Sequence, residues 1–142
     1  MRISTAATIL AAVLFCSACA PVTRQGRELD IANNLFAEKR YADAVSAYRS
    51  VIRNNPAPQI DAEARFRLAY ALAFYENPQP DYVKSIQEFE EFLRLYPEHE
   101  KAADAKNLRH ILRTLERLNK NIEELKKLDI RHEEKRKKRQ VR

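Results

Sequence analysis

The chain has 142 residues, a formal charge of +6 and a single glycine, Gly26. That length allows one compact domain with appendages. The scarcity of glycine argues against phosphate loops, dinucleotide turns and tight β-hairpins, because each needs backbone conformations that only glycine reaches cheaply.

Alanine, leucine, glutamate, lysine and arginine dominate, and all are strong helix formers. No run of alternating β-branched residues reads as a strand, so the chain is expected to be all-α. The charge is unevenly placed. Positions 131–142 hold seven Lys/Arg and two Glu, a net of +5, and Arg2 supplies the remaining +1. Positions 19–130 carry 18 basic and 18 acidic residues and are neutral. A neutral domain with a basic tail says nothing of nucleic acid by its isoelectric point alone.

At the N-terminus, Arg2 precedes the apolar run Ala6 to Phe15, and Ser17 and Ala18 stand just before Cys19. A positive end, a short apolar stretch and small residues make a secretory signal. Ten apolar residues are too few to span a bilayer, which takes about 20. Cys16-Ser17-Ala18-Cys19 resembles a bacterial lipobox, with a departure at Cys16, where that motif prefers leucine. The alternative frame ending at Cys16 would put bulky Phe15 at the cleavage position. The resemblance implies lipidation of Cys19, and Ala20 in the following position implies sorting to the outer membrane of a Gram-negative bacterium, on its periplasmic face. Cleavage there would discard Cys16 and leave one cysteine, so no internal disulfide could form.

From Arg27 the apolar residues fall at helical spacing. The pattern predicts helices near Arg27–Glu38, Tyr41–Asn54, Asp61–Tyr75 and Asp81–Tyr96. Asn54-Asn55-Pro56-Ala57-Pro58 interrupts the second, since proline lacks an amide and restricts the residue before it. Asn77-Pro78-Gln79-Pro80 ends the third, and Asp81 is placed to cap the fourth.

The second and fourth helices repeat each other. Tyr41, Ala44, Val45, Tyr48, Val51, Ile52 and Pro56 recur as Tyr82, Ser85, Ile86, Phe89, Phe92, Leu93 and Pro97, each pair 41 positions apart. Ile31, Ala32 and Leu35 match Leu68, Ala69 and Leu72 at an offset of 37; the insertion Asn77–Pro80 accounts for the difference. Such self-similarity is the mark of stacked helical hairpins. These residues resemble tetratricopeptide repeats, in which small residues on paired helices meet, an aromatic follows and a proline closes the unit. By that resemblance Ala32, Ala44, Tyr48 and Pro56 pack the first unit, and Ala69, Ser85, Phe89 and Pro97 the second. Among lipoproteins the pattern is most similar to the longer helical-repeat components of outer-membrane β-barrel assembly machinery.

Pro97, Glu98 and Glu100 suit a helix start, and no proline or glycine follows them. Ala102, Ala103 and Ala105 offer a small face toward the fourth helix. Leu108, Ile111, Leu115, Leu118, Ile122 and Leu125 then follow at spacings of 3 and 4, a heptad seam that Leu112 and Leu128 widen. A helix of 30 residues reaches about 45 Å, farther than two hairpins can shield. The stripe Leu115, Leu118, Ile122 and Leu125 is therefore expected to fold back or to meet a partner helix, including a second copy.

The predicted divisions are a signal segment 1–18, a lipidated end and tether 19–26, a repeat domain 27–112, an extended amphipathic helix 113–130 and a disordered basic tail 131–142. The tail has no aromatics for stacking on bases, so an anionic lipid or lipopolysaccharide surface suits it better than nucleic acid. His99, His110 and His132 are too scattered for a metal set, and no nucleophile stands with a base. Tyr41, Tyr48, Tyr75 and Tyr82 sit at packing positions. No cofactor and no enzymatic activity are expected. The expected function is a membrane-anchored periplasmic scaffold that binds a protein partner. A regulator of a membrane sensor kinase and an activator of a cell-wall enzyme remain alternatives.

Overall fold

The structure, a computed structural model, describes residues 24–54 and 56–140. Five helices and no strand occur among them: α1 Arg24–Ala37, α2 Tyr41–Arg53, α3 Pro58–Ala73, α4 Tyr82–Leu95 and α5 Ala102–Gln140. The chain is all-α, two helical hairpins followed by one long helix. Sequential neighbours pack on one another, α1 on α2, α2 on α3, α3 on α4 and α4 on α5. Cys19 and positions 1–18, read above as a signal segment, lie outside the described residues.

The first hairpin turns through Lys39, at φ 63° the one left-handed non-glycine position among the described residues. Its amide donates to Phe36 O at 3.0 Å and that of Arg40 to Leu35 O at 3.0 Å, closing the end of α1. Buried residues on α2 are Tyr41, Ala44, Val45, Tyr48 and Val51, one face of the helix. Ala32 of α1 and Ala44 of α2 are both fully buried, in one cluster with Val45, Tyr48, Leu68, Ala71 and Leu72. The Tyr48 hydroxyl enters this apolar setting by donating to Asn33 Oδ1 at 2.8 Å.

Helix α3 is the centre of the stack and starts earlier than its periodicity predicts. Pro58 occupies its first turn, where the missing amide costs nothing. It contributes Leu68, Ala71 and Leu72 to the first core and Ala62 and Ala69 to the second. Alanines let both neighbours approach closely. In the second hairpin Ser85 stands where the first has Ala44, and its hydroxyl donates to Ala69 O at 2.6 Å. A buried hydroxyl without that acceptor would be costly. In the same core Phe66 packs edge to face on both Phe89 and Phe92, each at 5.7 Å.

The inserted loop is fastened to the end of α3. Asn77 Nδ2 donates to Ala71 O at 3.0 Å, Gln79 N donates to Asn77 Oδ1 at 3.0 Å, and Asp81 N donates to Leu72 O at 2.8 Å. Asp81 Oδ1 then accepts from Lys84 N at 2.9 Å and caps α4. Equivalent positions of the two hairpins differ in one telling way: Leu68 is 1% exposed and Ile31 is 57% exposed. Leu68 packs on the first hairpin, whereas Ile31 sits on α1, the outer layer among the described helices.

Several expectations need correction. The fifth helix begins at Ala102 and not at Pro97. Residues 97–101 form turns in which His99 Nδ1 accepts from Lys101 N at 3.2 Å and the His99 ring meets Phe92 at 5.4 Å. This corner spends the acidic residues Glu98 and Glu100 before the helix starts. Ala102 is buried and Ala105 is buried in the second core, but Ala103 is exposed, one step around the helix. Tyr75 is exposed and Tyr82 half-buried, so neither matches the full burial of Tyr48. Pro56 is half-buried and Pro97 exposed; both act as helix stops outside the cores. The tail expected to be disordered continues α5 in one piece through Gln140. No breaker interrupts it, and the Arg136–Glu133 pair spans one turn of it.

Two measurements test this packing. Tyr48→Ala and Phe89→Ala should each lower unfolding free energy by about 3–5 kcal/mol, as large-to-small aromatic core changes do, while Lys106→Ala on the exposed face of α5 should change it by less than about 0.5 kcal/mol; chemical denaturation reads all three. Burial raises the Tyr48 hydroxyl to about 12, and burial with the bond to Asp61 raises Tyr96 to about 12. A group raised on folding stabilises fully below its unfolded pKa. Stability from these phenols should thus hold up to about pH 10 and fall as pH rises to about 12. Urea midpoints measured across that window check the sign.

Candidate interaction surface on the long helix

The first turns of α5 belong to the domain. Ala105 and Leu112 are buried with Ala62, Ile86, Phe89 and Phe92, and Leu108 packs against the same cluster. Arg113 reaches back to Glu90 of α4, and Lys101 to Glu63 of α3. Burial raises the Glu63 carboxyl, and hydrogen bonds from Lys101 and Arg67 more than reverse that, so it sits below the usual carboxylate range. The salt bridge between Lys101 and Glu63 fastens the base of α5.

Beyond Leu112 no described residue is buried. Helix α5 packs on α4 and runs on without folding back. Leu115 is 41% exposed, Leu118 48%, Ile122 48% and Leu125 64%. Ile111, Leu128 and Ile130 are exposed as well. At 1.5 Å per residue, the 39 residues of α5 span about 58 Å, and the part after Leu112 about 42 Å. Isolated helices owe little stability to propensity, so a projecting apolar seam without a partner is energetically incomplete.

The seam does not end at the helix. A groove of about 220 Å³ lies where its base meets α3, lined among others by Tyr70, Phe74, Tyr75, Ile111 and Leu115. Phe74 is the hub of its aromatic wall, 5.0 Å from Phe36, 5.4 Å from Tyr41 and Tyr70, and 4.9 Å from Tyr75. Glu76 holds this wall in place. Its carboxylate accepts from Tyr41 and Tyr75 hydroxyls, each at 2.9 Å, and pairs with Lys39 at 3.0 Å. The Lys39 ammonium first, then the two hydroxyls, hold the Glu76 carboxyl low. Burial, with Glu76 opposing a phenolate, raises Tyr41 to about 12.

The residues singled out by sequence thus divide into two sets. Ala32, Ala44, Tyr48, Ala69, Ser85 and Phe89 are buried inside the hairpins, where they hold the stack together. Leu115, Leu118, Ile122 and Leu125 lie together on the exposed seam. Sequence reasoning placed Ile111 on the seam but missed exposed Tyr70 and half-buried Phe74, and it assigned Tyr75 to the core. The signal was the cluster Tyr70 to Tyr75 at the end of α3, just ahead of a loop that leaves its rings uncovered.

Other surfaces offer less. A groove of about 400 Å³ at the open end of α1 and α2 is lined by Arg24, Glu28, Ile31, Ala47 and Asn54 among others. No group of three or more His, Cys, Asp or Glu among the described residues could hold a metal ion. The hydroxyls of Ser46, Ser85 and Thr114 donate to backbone carbonyls. No family model, curated protein or solved structure matches this chain.

The two ends of the leucine series should behave differently. Leu112→Ala should cost about 2–5 kcal/mol as a core truncation, whereas Leu125→Ala should change stability by less than about 0.5 kcal/mol in dilute, unassociated protein. Urea denaturation of the two variants checks this; equal losses would place the outer seam inside the protein's own core.

Proposed function

We propose that this chain is a protein-docking scaffold of the bacterial cell envelope, held at the membrane through lipid on Cys19. The observation that carries the docking role is the exposed seam from Ile111 to Leu128 on a helix that leaves its own domain. Its apolar residues recur every three or four positions, which suits a helix laid alongside. The hairpins serve as the rigid base that aims it. In this reading they are tetratricopeptide-like units, supported by the paired burial of Ala32 with Ala44 and of Ala69 with Ser85.

The anchor reading rests on Ser17-Ala18-Cys19 after an apolar run. Among the described residues no helix is long and apolar enough to cross a membrane. Diacyl attachment would hold the protein far more firmly than one myristoyl chain, whose binding is marginal. The basic positions 131–142 then suit contact with anionic headgroups at the same surface.

Two experiments test the proposal. Cys19→Ser should abolish incorporation of labelled fatty acid and release the protein from the membrane fraction. Label retained in that variant would overturn the site. A photo-crosslinking side chain at Leu118 or Ile122 in growing cells should give strong protein adducts, and one at Lys120 or Lys127, on the far face, several-fold fewer. Equal yields from both faces would overturn docking through the seam.

A further inference from the structure

We infer that the partner on the seam is a second copy of this chain, laid antiparallel and centred on Lys120; this rests on the docking role proposed for the seam. The outer seam, from Leu115 to Leu125, is symmetric about that position. Among its exposed residues, Leu118 and Ile122 lie two residues either side of it, and Leu115 and Leu125 five. An antiparallel copy therefore meets Leu115 with Leu125, and Leu118 with Ile122, without a step in register. A two-fold contact needs such a self-complementary surface, because every pair in it occurs twice.

Polar residues fit the same centre. Asn119 and Asn121 flank it, each bordering one side of the seam. The two-fold axis brings each opposite its own counterpart, where amide donors and acceptors match. Polar residues at a helical interface fix register more than they add stability. Arg117 comes level with Glu123 and Glu124 of the other copy, and this too occurs twice.

Charge selects the orientation. Positions 131–142 carry a net +5. Side by side in a parallel pair, two such segments would lie about 10 Å apart, close to the Debye length in physiological salt. In the antiparallel pair, Arg131 of one copy lies level with Arg109 of the other, and the two basic segments begin about 33 Å apart along the axis. That is several Debye lengths. The groove completes the fit, because the same register brings the Leu125–Leu128 end of each seam to the Tyr70, Phe74 and Tyr75 wall of the other copy. A parallel pair would leave both grooves open.

Cysteine crosslinking in the full chain, expressed from its own leader, tests the geometry. A disulfide needs Cα atoms within about 7 Å. Asn119→Cys lies beside its own copy only in the antiparallel pair, while the two Leu125→Cys thiols would be adjacent only in a parallel one and about 15 Å apart otherwise. Mild oxidation of intact cells should convert most Asn119→Cys protein to disulfide dimer, at least fivefold more than Leu125→Cys or the unmodified chain. Adding Ile122→Glu should abolish that dimer. A dimer through Leu125→Cys and not Asn119→Cys would overturn the orientation. Neither dimer, together with a monomer in detergent by sedimentation, would overturn self-association; adducts to a different protein through a crosslinker at Leu118 would show in the same cells that docking survives with another partner.

Discussion

Everything in this fold depends on how closely α3 can be approached from both sides. It is the one helix that contributes to both cores, and it does so with small residues: Ala62 and Ala69 toward the second, Ala71 toward the first. Close approach lets the large rings of Tyr48, Phe89 and Phe92 fill the space between hairpins in full burial. It also makes the Ser85 hydroxyl bond to Ala69 O possible, which fixes how α4 lies across α3. A larger side chain at Ala69 would separate the hairpins and move the platform from which α5 departs.

The direction of α5 follows from that platform. Phe92, Tyr96 and His99 stack at the corner, and Tyr96 donates to Asp61 Oδ2 at 2.7 Å, tying the corner to the start of α3. Arg65 pairs with the same carboxylate at 2.6 Å. Ala105 and Leu108 then seat the helix on the second core before it leaves the domain at Leu112. Rigidity at the base matters because a seam about 42 Å long magnifies any angular error at its far end. The docking surface is thus an output of the hairpin packing.

The fold was legible in sequence wherever periodicity and chain breakers agreed. The 41-residue repeat located both cores, and Asn77–Pro80 located the insertion, because helical spacing and missing amides act locally. Two things were not legible. One was the helix start at Ala102, because Pro97 and Glu98 obey capping rules that the His99 corner, a tertiary stack on Phe92, overrides. The other was the exposed aromatic wall. Tyr75 shares its spacing with core residues, but it is exposed and its hydroxyl donates to Glu76, which Tyr41 and Lys39 also hold, contacts that spacing does not reveal. For the seam itself, length was the decisive signal, since two hairpins cannot cover a helix of 39 residues.

The central claim is that the outer half of α5 is built for a partner and contributes nothing to its own domain. Hydrogen exchange on the full chain, compared with the Leu118→Glu/Ile122→Glu variant, tests this most directly. Protection of amides 116–130 should fall at least tenfold in the variant, while amides in 41–53 and 82–95 keep their wild-type rates. Loss of protection within α2 and α4, or an outer helix equally protected in both proteins, would contradict it.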